Sequence, residues 1–279
     1  MDRAKSGVLG ALITVALLCA LFFGVRYVMT EGGFKAPQLE TFGGTPLTAL
    51  VCFFLLPLLF AGIRDMRPSD VGLNWHRAGS QMWTALIAAL IVFPATFLFP
   101  VLTRLNTSAF EWTGAAILAG GFFAMGLLAV RVTPALHAEA PEGAGWGGLA
   151  GFAVLFGAGL LAMHLLHPVS PVAARLIGVV VFVAIMEEFF FRGYVQSRLN
   201  DAFGRPFKVL GTEFGAGVVI ASILFGLFHP LSDEAMRWPW ALWTAAFGLI
   251  LGLIREKTGS ILAPGLIHGL IILPTAFAG

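Results

Sequence analysis

Residues 180–194 read Val-Val-Phe-Val-Ala-Ile-Met-Glu-Glu-Phe-Phe-Phe-Arg-Gly-Tyr. Two adjacent carboxylates, Glu187 and Glu188, stand in an otherwise apolar run, and Arg192 follows the second by four residues. The whole run, 171–195, is longer than the ~20 residues with which a helix crosses a bilayer. Lipid leaves no water for unpaired backbone groups, and a spanning barrel would show alternating strands of about ten residues instead. The run therefore predicts a membrane helix with ionisable groups inside it.

Outward from this stretch, eight further apolar runs lie between polar breaks: 7–25, 46–63, 82–102, 114–130, 146–166, 214–230, 238–254 and 259–278, the fourth and eighth of the nine being among the shortest. The chain of 279 residues is 58% hydrophobic and 11% charged, with a mean hydropathy of +0.89, which no soluble globule of this size could bury. The expected fold is an all-α, polytopic transmembrane bundle of about eight or nine spans with its catalytic core in the C-terminal helices. Residues 1–170 would supply about five spans and 171–279 the core. A net charge of +2, with no basic tract and no Gly-rich phosphate loop, excludes nucleic-acid and nucleotide partners. With 26 Phe and 7 Trp, every segment has something to bury, which excludes disorder.

Orientation follows from Lys and Arg in alternating loops. With an uncleaved first span and a cytoplasmic N-terminus, the inner side holds Arg3, Lys5, Arg64, Arg67, Arg77, Arg131, Arg192, Arg198, Arg205, Lys208, Arg255 and Lys257. The outer side holds Arg26, Lys35, Arg104, Arg175 and Arg237. This asymmetry favours nine spans with the N-terminus in the cytoplasm and the C-terminus outside. Pro94, Pro100, Pro264 and Pro274 are expected to kink their helices. Cys19 and Cys52 read as small packing residues, and His164 and His167 as cap or interface groups. Trp238, Trp240 and Trp243 read as an interfacial aromatic belt. Arg198 to Glu213 reads as a solvated helix extension and turn.

Ionisable groups within spans cost about 2.5–3.5 kcal/mol each on insertion scales, so each calls for an explanation. Glu188 and Arg192 share a helix face and can pair, whereas Glu187 points elsewhere and has no cation within its own turn. A carboxylate so placed suits general acid or base work near neutrality. The seventh run ends with Phe225 and His229 one turn apart, and the ninth holds His268 among aliphatic residues. If the sixth and seventh helices turn near Arg205 and Pro206, Glu187 lies about 19 residues before the turn and His229 about 23 after it, nearly level at ~1.5 Å per residue. Both then lie nearer the opposite face, under the Leu231 to Trp238 loop, on the outer side. One carboxylate and two imidazoles in a buried setting make a hydrolytic site.

In these residues the chain resembles the CPBP intramembrane proteases, which include CAAX prenyl endopeptidases and bacteriocin-processing or self-immunity proteins. The family's EExxxR motif matches Glu187, Glu188 and Arg192, and its FxxxH motif matches Phe225 and His229. Its third motif, HxxxN or HxxxD, is matched at His268 only, since Ile272 stands where the Asn or Asp belongs. The resemblance covers about 171–279. It implies an intramembrane endopeptidase acting on a membrane-associated protein or peptide, with the lipid bilayer as its surroundings. It further implies Glu187 as the base that activates water, His229 as its helper, His268 as an oxyanion donor, and Glu188, Arg192 and Phe225 as supporting residues. Thr275, one turn beyond Ile272, is a stand-in for the missing donor. Members have been described as metalloproteases and as glutamic proteases. Glu187, His229 and His268 are a set that zinc could use, but nothing resembles HExxH, so a metal-free glutamic site without cofactor is favoured. The alternatives are a non-enzymatic scaffold or immunity protein and a proton-coupled transporter using Glu187. Repeats between the halves, the mark of many transporters, are not visible.

Overall fold

The computed structural model describes residues 2–136 and 144–277, with side chains from residue 7 and, after the break, from 145. Position 278, where the ninth run ends, lies outside them, as do the side chains of Arg3 and Lys5. The order is α1 (Asp2–Glu31), α2 (Lys35–Phe42), α3 (Pro46–Ile63), α4 (Ala78–Arg104), α5 (Trp112–Val132), α6 (Ala144–Leu166), α7 (171–203), β1 (Phe207–Val209), β2 (Thr212–Phe214), α8 (Ala216–Leu231), α9 (Pro239–Thr258) and α10 (Leu262–Ile272). A 3₁₀ turn, Leu273–Phe277, ends the described chain. Among the described residues the nine apolar runs fall on nine of these helices, with the short α2 as an addition. Five, in α1, α3, α4, α5 and α6, are long and apolar enough to span a bilayer, and α8 and α10 are shorter apolar helices. The protein is an all-α polytopic membrane protein.

Local backbone departs from α-helix in several places. Pro94 lies in a 3₁₀ segment, Phe93–Phe97, that breaks α4, and Pro274 lies in the terminal 3₁₀ turn. Pro264 does not kink α10, because it sits in the first turn, where its missing donor is not needed. Helix α7 is π-helical over Gly178–Ile185 and Phe189–Val195, on both sides of a short α-helical turn at Met186–Glu188. Such widened turns often accompany functional sites.

Two expectations are corrected. The stretch from Arg198 to Glu213 continues α7 only to Phe203 and then forms a two-stranded antiparallel hairpin with Phe207 opposite Phe214. Leu210 and Gly211 take the positive φ values, 48° and 78°, that a tight hairpin turn requires. Of its helical part, Leu199 and Asn200 are buried while Asp201 and Phe203 are exposed, and the Glu256 carboxylate accepts from Asn200 at 2.9 Å, from Gln196 just before the stretch at 2.6 Å and from Arg205 just after the helix at 2.7 Å. Arg26, expected in an outer loop, is part of α1 and reaches the Ser232 carbonyl at 3.5 Å.

Glycines allow the close approaches that position α10. A Cβ at Gly265 would lie 3.3 Å from the Ile185 Cα, and one at Gly269 would lie 3.4 Å from the Val180 Cα, so α10 lies backbone to backbone on α7. This is the small-xxx-small contact of membrane helices. One buried cluster includes Phe22, Cys52, Phe54, Phe152, Phe189, Phe190 and Phe228, so helices from both ends of the chain pack together.

Candidate active site

The adjacent glutamates face opposite ways. Glu188 turns into the bundle, where Oε1 accepts from Arg192 Nη1 at 2.9 Å, with both side chains fully buried. Its Oε1 also accepts from His268 Nδ1, at 3.0 Å. Glu187 instead lines a cavity of about 420 Å³ together with His229, His268 and Ile272, and has no hydrogen-bond partner among the described residues. The cavity wall continues through Ser232, Asp233, Arg237 and Trp240, so the site lies beneath the loop after α8, at the depth expected from the helix lengths.

Hydrogen bonds at Nδ1 assign the imidazole tautomers. His229 Nδ1 lies 2.7 Å from the Phe225 carbonyl, which can only accept, so Nδ1 carries the proton and Nε2 keeps a lone pair. His268 Nδ1 faces a Glu188 oxygen that already accepts from Arg192, so there too Nδ1 donates. In its neutral form His268 presents a lone pair at Nε2. It can donate to an oxyanion only as the imidazolium.

Phe225 lies at the centre of this arrangement. Its ring centroid is 4.8 Å from that of His229 and 5.6 Å from that of His268, and the Arg192 Cζ stands 4.2 Å over its face. The cation and the ring quadrupole attract, and the Arg192–Glu188 pair thereby fixes the plane against which both imidazoles rest. Space for the guanidinium comes from Gly248, where a Cβ would lie 2.8 Å from Arg192 Nη2.

The aromatic-belt expectation is corrected for two of its three residues. Trp240 packs 5.1 Å from the His229 ring, and Trp243 donates to the Ala109 carbonyl at 3.1 Å, while Trp238 remains exposed. Both inward rings lie on the face of α9 that meets the core, which the alternation of Trp and Pro alone does not indicate. The sequence reading counts Arg237 as an outer-side cation and does not pair it with Asp233, though an acid and a base four residues apart are a readable signal. They pair at 2.6 Å, which holds the Asp233 carboxyl below the usual carboxylate range, and Arg237 lies 4.1 Å over Phe110. Phe53 of α3 joins the cavity without any signal in its own sequence. Thr275 lines the cavity too, but its hydroxyl donates to the Ile272 carbonyl at 2.6 Å, so its proton is already committed.

Zinc would need converging ligands, and among the described residues no group of three or more His, Cys, Asp or Glu side chains is placed to hold a metal ion. Glu187, His229 and His268 are thus not placed as a three-ligand set in this geometry.

No curated protein and no solved structure matches the chain. Residues 168–273 match the family model described as Type II CAAX prenyl endopeptidase Rce1-like. The match covers α7 to α10 and with them all three motifs. Over residues 168–273 the chain is thus similar to the Rce1-like endopeptidases, consistent with the resemblance of its motifs to the CPBP intramembrane proteases.

Proposed function

We propose that the protein is an intramembrane endopeptidase in which Glu187 activates water for attack on a peptide bond near the membrane end of a protein or peptide substrate. The observation that carries this reading is the division of labour between the two glutamates. Glu188 is spent on Arg192 and His268, and Glu187 is left unpaired in the cavity beside His229. His229 Nε2, a lone-pair donor by its tautomer, would share the proton that Glu187 draws from water. His268, as the imidazolium held by Glu188, would face the developing oxyanion. The outward-facing mouth beneath Ser232–Trp238 suits processing of secreted or sorted peptides in a bacterial inner membrane.

The test is to compare new C-termini in membranes carrying the chain with those carrying Glu187→Gln or His229→Ala. Each variant should lower turnover by at least the ~10² expected of a general base system. Near-normal turnover of purified Glu187→Gln would refute the assignment and favour a scaffold. EDTA treatment should leave activity intact, and stoichiometric zinc in the purified protein, with activity lost on its removal and restored on its return, would establish a metal mechanism.

A further inference from the structure

The loop between α3 and α4, residues 64–77, lies outside the stretch that matches the family model, yet it fastens the turn from which α10 starts. Asn74 is buried there, at 6% exposure, beside Val71 and Leu73. Its Nδ2 donates to the Gly259 carbonyl at 3.0 Å, and its own carbonyl accepts from Ser260 Oγ at 3.0 Å. Next to it the Gly72 carbonyl accepts from the Ile261 amide at 3.1 Å. Ser260 Oγ also accepts from the Leu262 amide at 3.1 Å, so one hydroxyl caps α10 and ties it to the loop. The Gly259 carbonyl needs a donor, which a carboxamide supplies and a carboxylate does not.

The lengthwise register of α10 on α7 is not fixed by their contact itself. Gly265 and Gly269 bring the backbones together but present no side chain to notch one helix against the other. Among the described residues, the turn 259–261 and α10 have polar links beyond α9 at two places only. One is the junction with Gly72 and Asn74, and the other is the bond from His268 to Glu188. We propose that Asn74 is a positioning residue: by holding the α9–α10 turn it sets the level at which His268 meets Glu188. The inference deepens the proteolytic reading and rests on it for the part that His268 plays. His268 follows Ser260 by eight residues, about 12 Å of helix at ~1.5 Å per residue, so a shift of the turn reaches the imidazole through two stiff turns of backbone. His268 Nδ1 lies 3.0 Å from Glu188 Oε1, and a slide of about 1 Å can carry the pair out of hydrogen-bond range. A misplacement of that size, made far from the reacting atoms, can cost about 10² in rate.

The test reads the ring-nitrogen resonances of His268 in the full chain, labelled with isotopic histidine, in phosphatidylcholine nanodiscs; His268→Gln identifies them. Asn74→Ala and Ser260→Ala remove different bonds of one junction, and each should move the Nδ1 signal towards that of an unbonded nitrogen. Trp75→Phe loses the bond from the neighbouring indole to the Gly148 carbonyl of α6, 3.1 Å long, and should leave the signal in place. With a quenched fluorescent apolar peptide as substrate, Asn74→Ala should lower kcat about tenfold to a hundredfold with KM unchanged. In a His268→Gln background the same substitution should have no further effect on the residual rate, because it acts through that imidazole. Unmoved His268 signals in folded Asn74→Ala, equal movement in Trp75→Phe, or a loss of rate undiminished in His268→Gln overturns the proposal. If Asn74→Ala does not fold, Ser260→Ala decides by the same measurements. Cleavage of no peptide by the unmodified chain would sink the proteolytic reading, and the resonances would still decide whether Asn74 places His268.

Discussion

Ile272 is the residue at which the site departs most from its family's pattern, and its side chain lines the cavity where a carboxamide would point at the oxyanion. Ile272→Asn should therefore raise kcat, by up to the ~10² that one oxyanion donor can contribute. Steady-state kinetics on the folded variant checks this, and unchanged turnover would mean that another group already makes the bond. Glu188 invites the opposite experiment. Its carboxylate faces Arg192 with both side chains at 0% exposure, so Glu188→Gln leaves a buried cation uncompensated. The expected loss is about 3–5 kcal/mol of stability, read as a lowered unfolding midpoint. Glu188→Leu combined with Arg192→Leu should fall well short of that cost, because the pair then disappears together. An unfolding midpoint for Glu188→Gln equal to that of the unmodified chain would show that the pair is not structural.

Helices meet at this site through glycines, and Gly248 on α9 carries the narrowest clearance to the ion pair. Gly248→Ala should displace the Arg192 guanidinium and cost about 1–3 kcal/mol as overpacking does, with activity falling although Glu187 is untouched. Gly147→Ala, whose new Cβ meets nothing within 4 Å, is the matched control and should be near neutral. Equal effects of the two substitutions would disprove the clearance argument. The same contacts explain what could be read from the sequence. Apolar runs are a one-dimensional property, so the helices and the Glu188–Arg192 spacing were legible in it. The bond from His268 to Glu188 was not, because it depends on how closely Gly265 and Gly269 let α10 approach α7. The π-helical turns leave no mark in a periodicity argument, and the hairpin at 207–214 is too short and too charged to stand out from a helix extension. Trp240 was misread because an aromatic residue near a helix end looks alike whether it faces lipid or a histidine.

Across the whole molecule the two ends of the bundle differ in character. One holds the cavity mouth at Ser232–Trp238. The other holds the Glu256 network, to which Arg205 donates, with Arg255 and Lys257 on either side of Glu256; there Lys257 Nζ donates to carbonyls at the C-terminal end of α5, at 2.6 Å to Val130 and 3.1 Å to Thr133 just beyond it. A cation at that place complements the helix dipole, and the basic end is the one expected in the cytoplasm. A single cysteine at Ser232, with Cys19 and Cys52 replaced, should accordingly react with an impermeant thiol reagent on intact cells. Labelling only after lysis would turn the molecule over. The length of α8 has a further consequence that concerns the lipid. Its 16 residues span about 24 Å at ~1.5 Å per residue, some 6 Å short of a ~30 Å hydrocarbon layer. His229 lies two residues from its end. Hydrophobic mismatch of this kind is relieved by thinning the bilayer around the short helix, which draws headgroups and their water down towards Glu187. If Glu187 activates water as proposed, acyl-chain length would set how readily that water is supplied, and turnover in nanodiscs of longer or sterol-stiffened chains should fall although nothing binds the site.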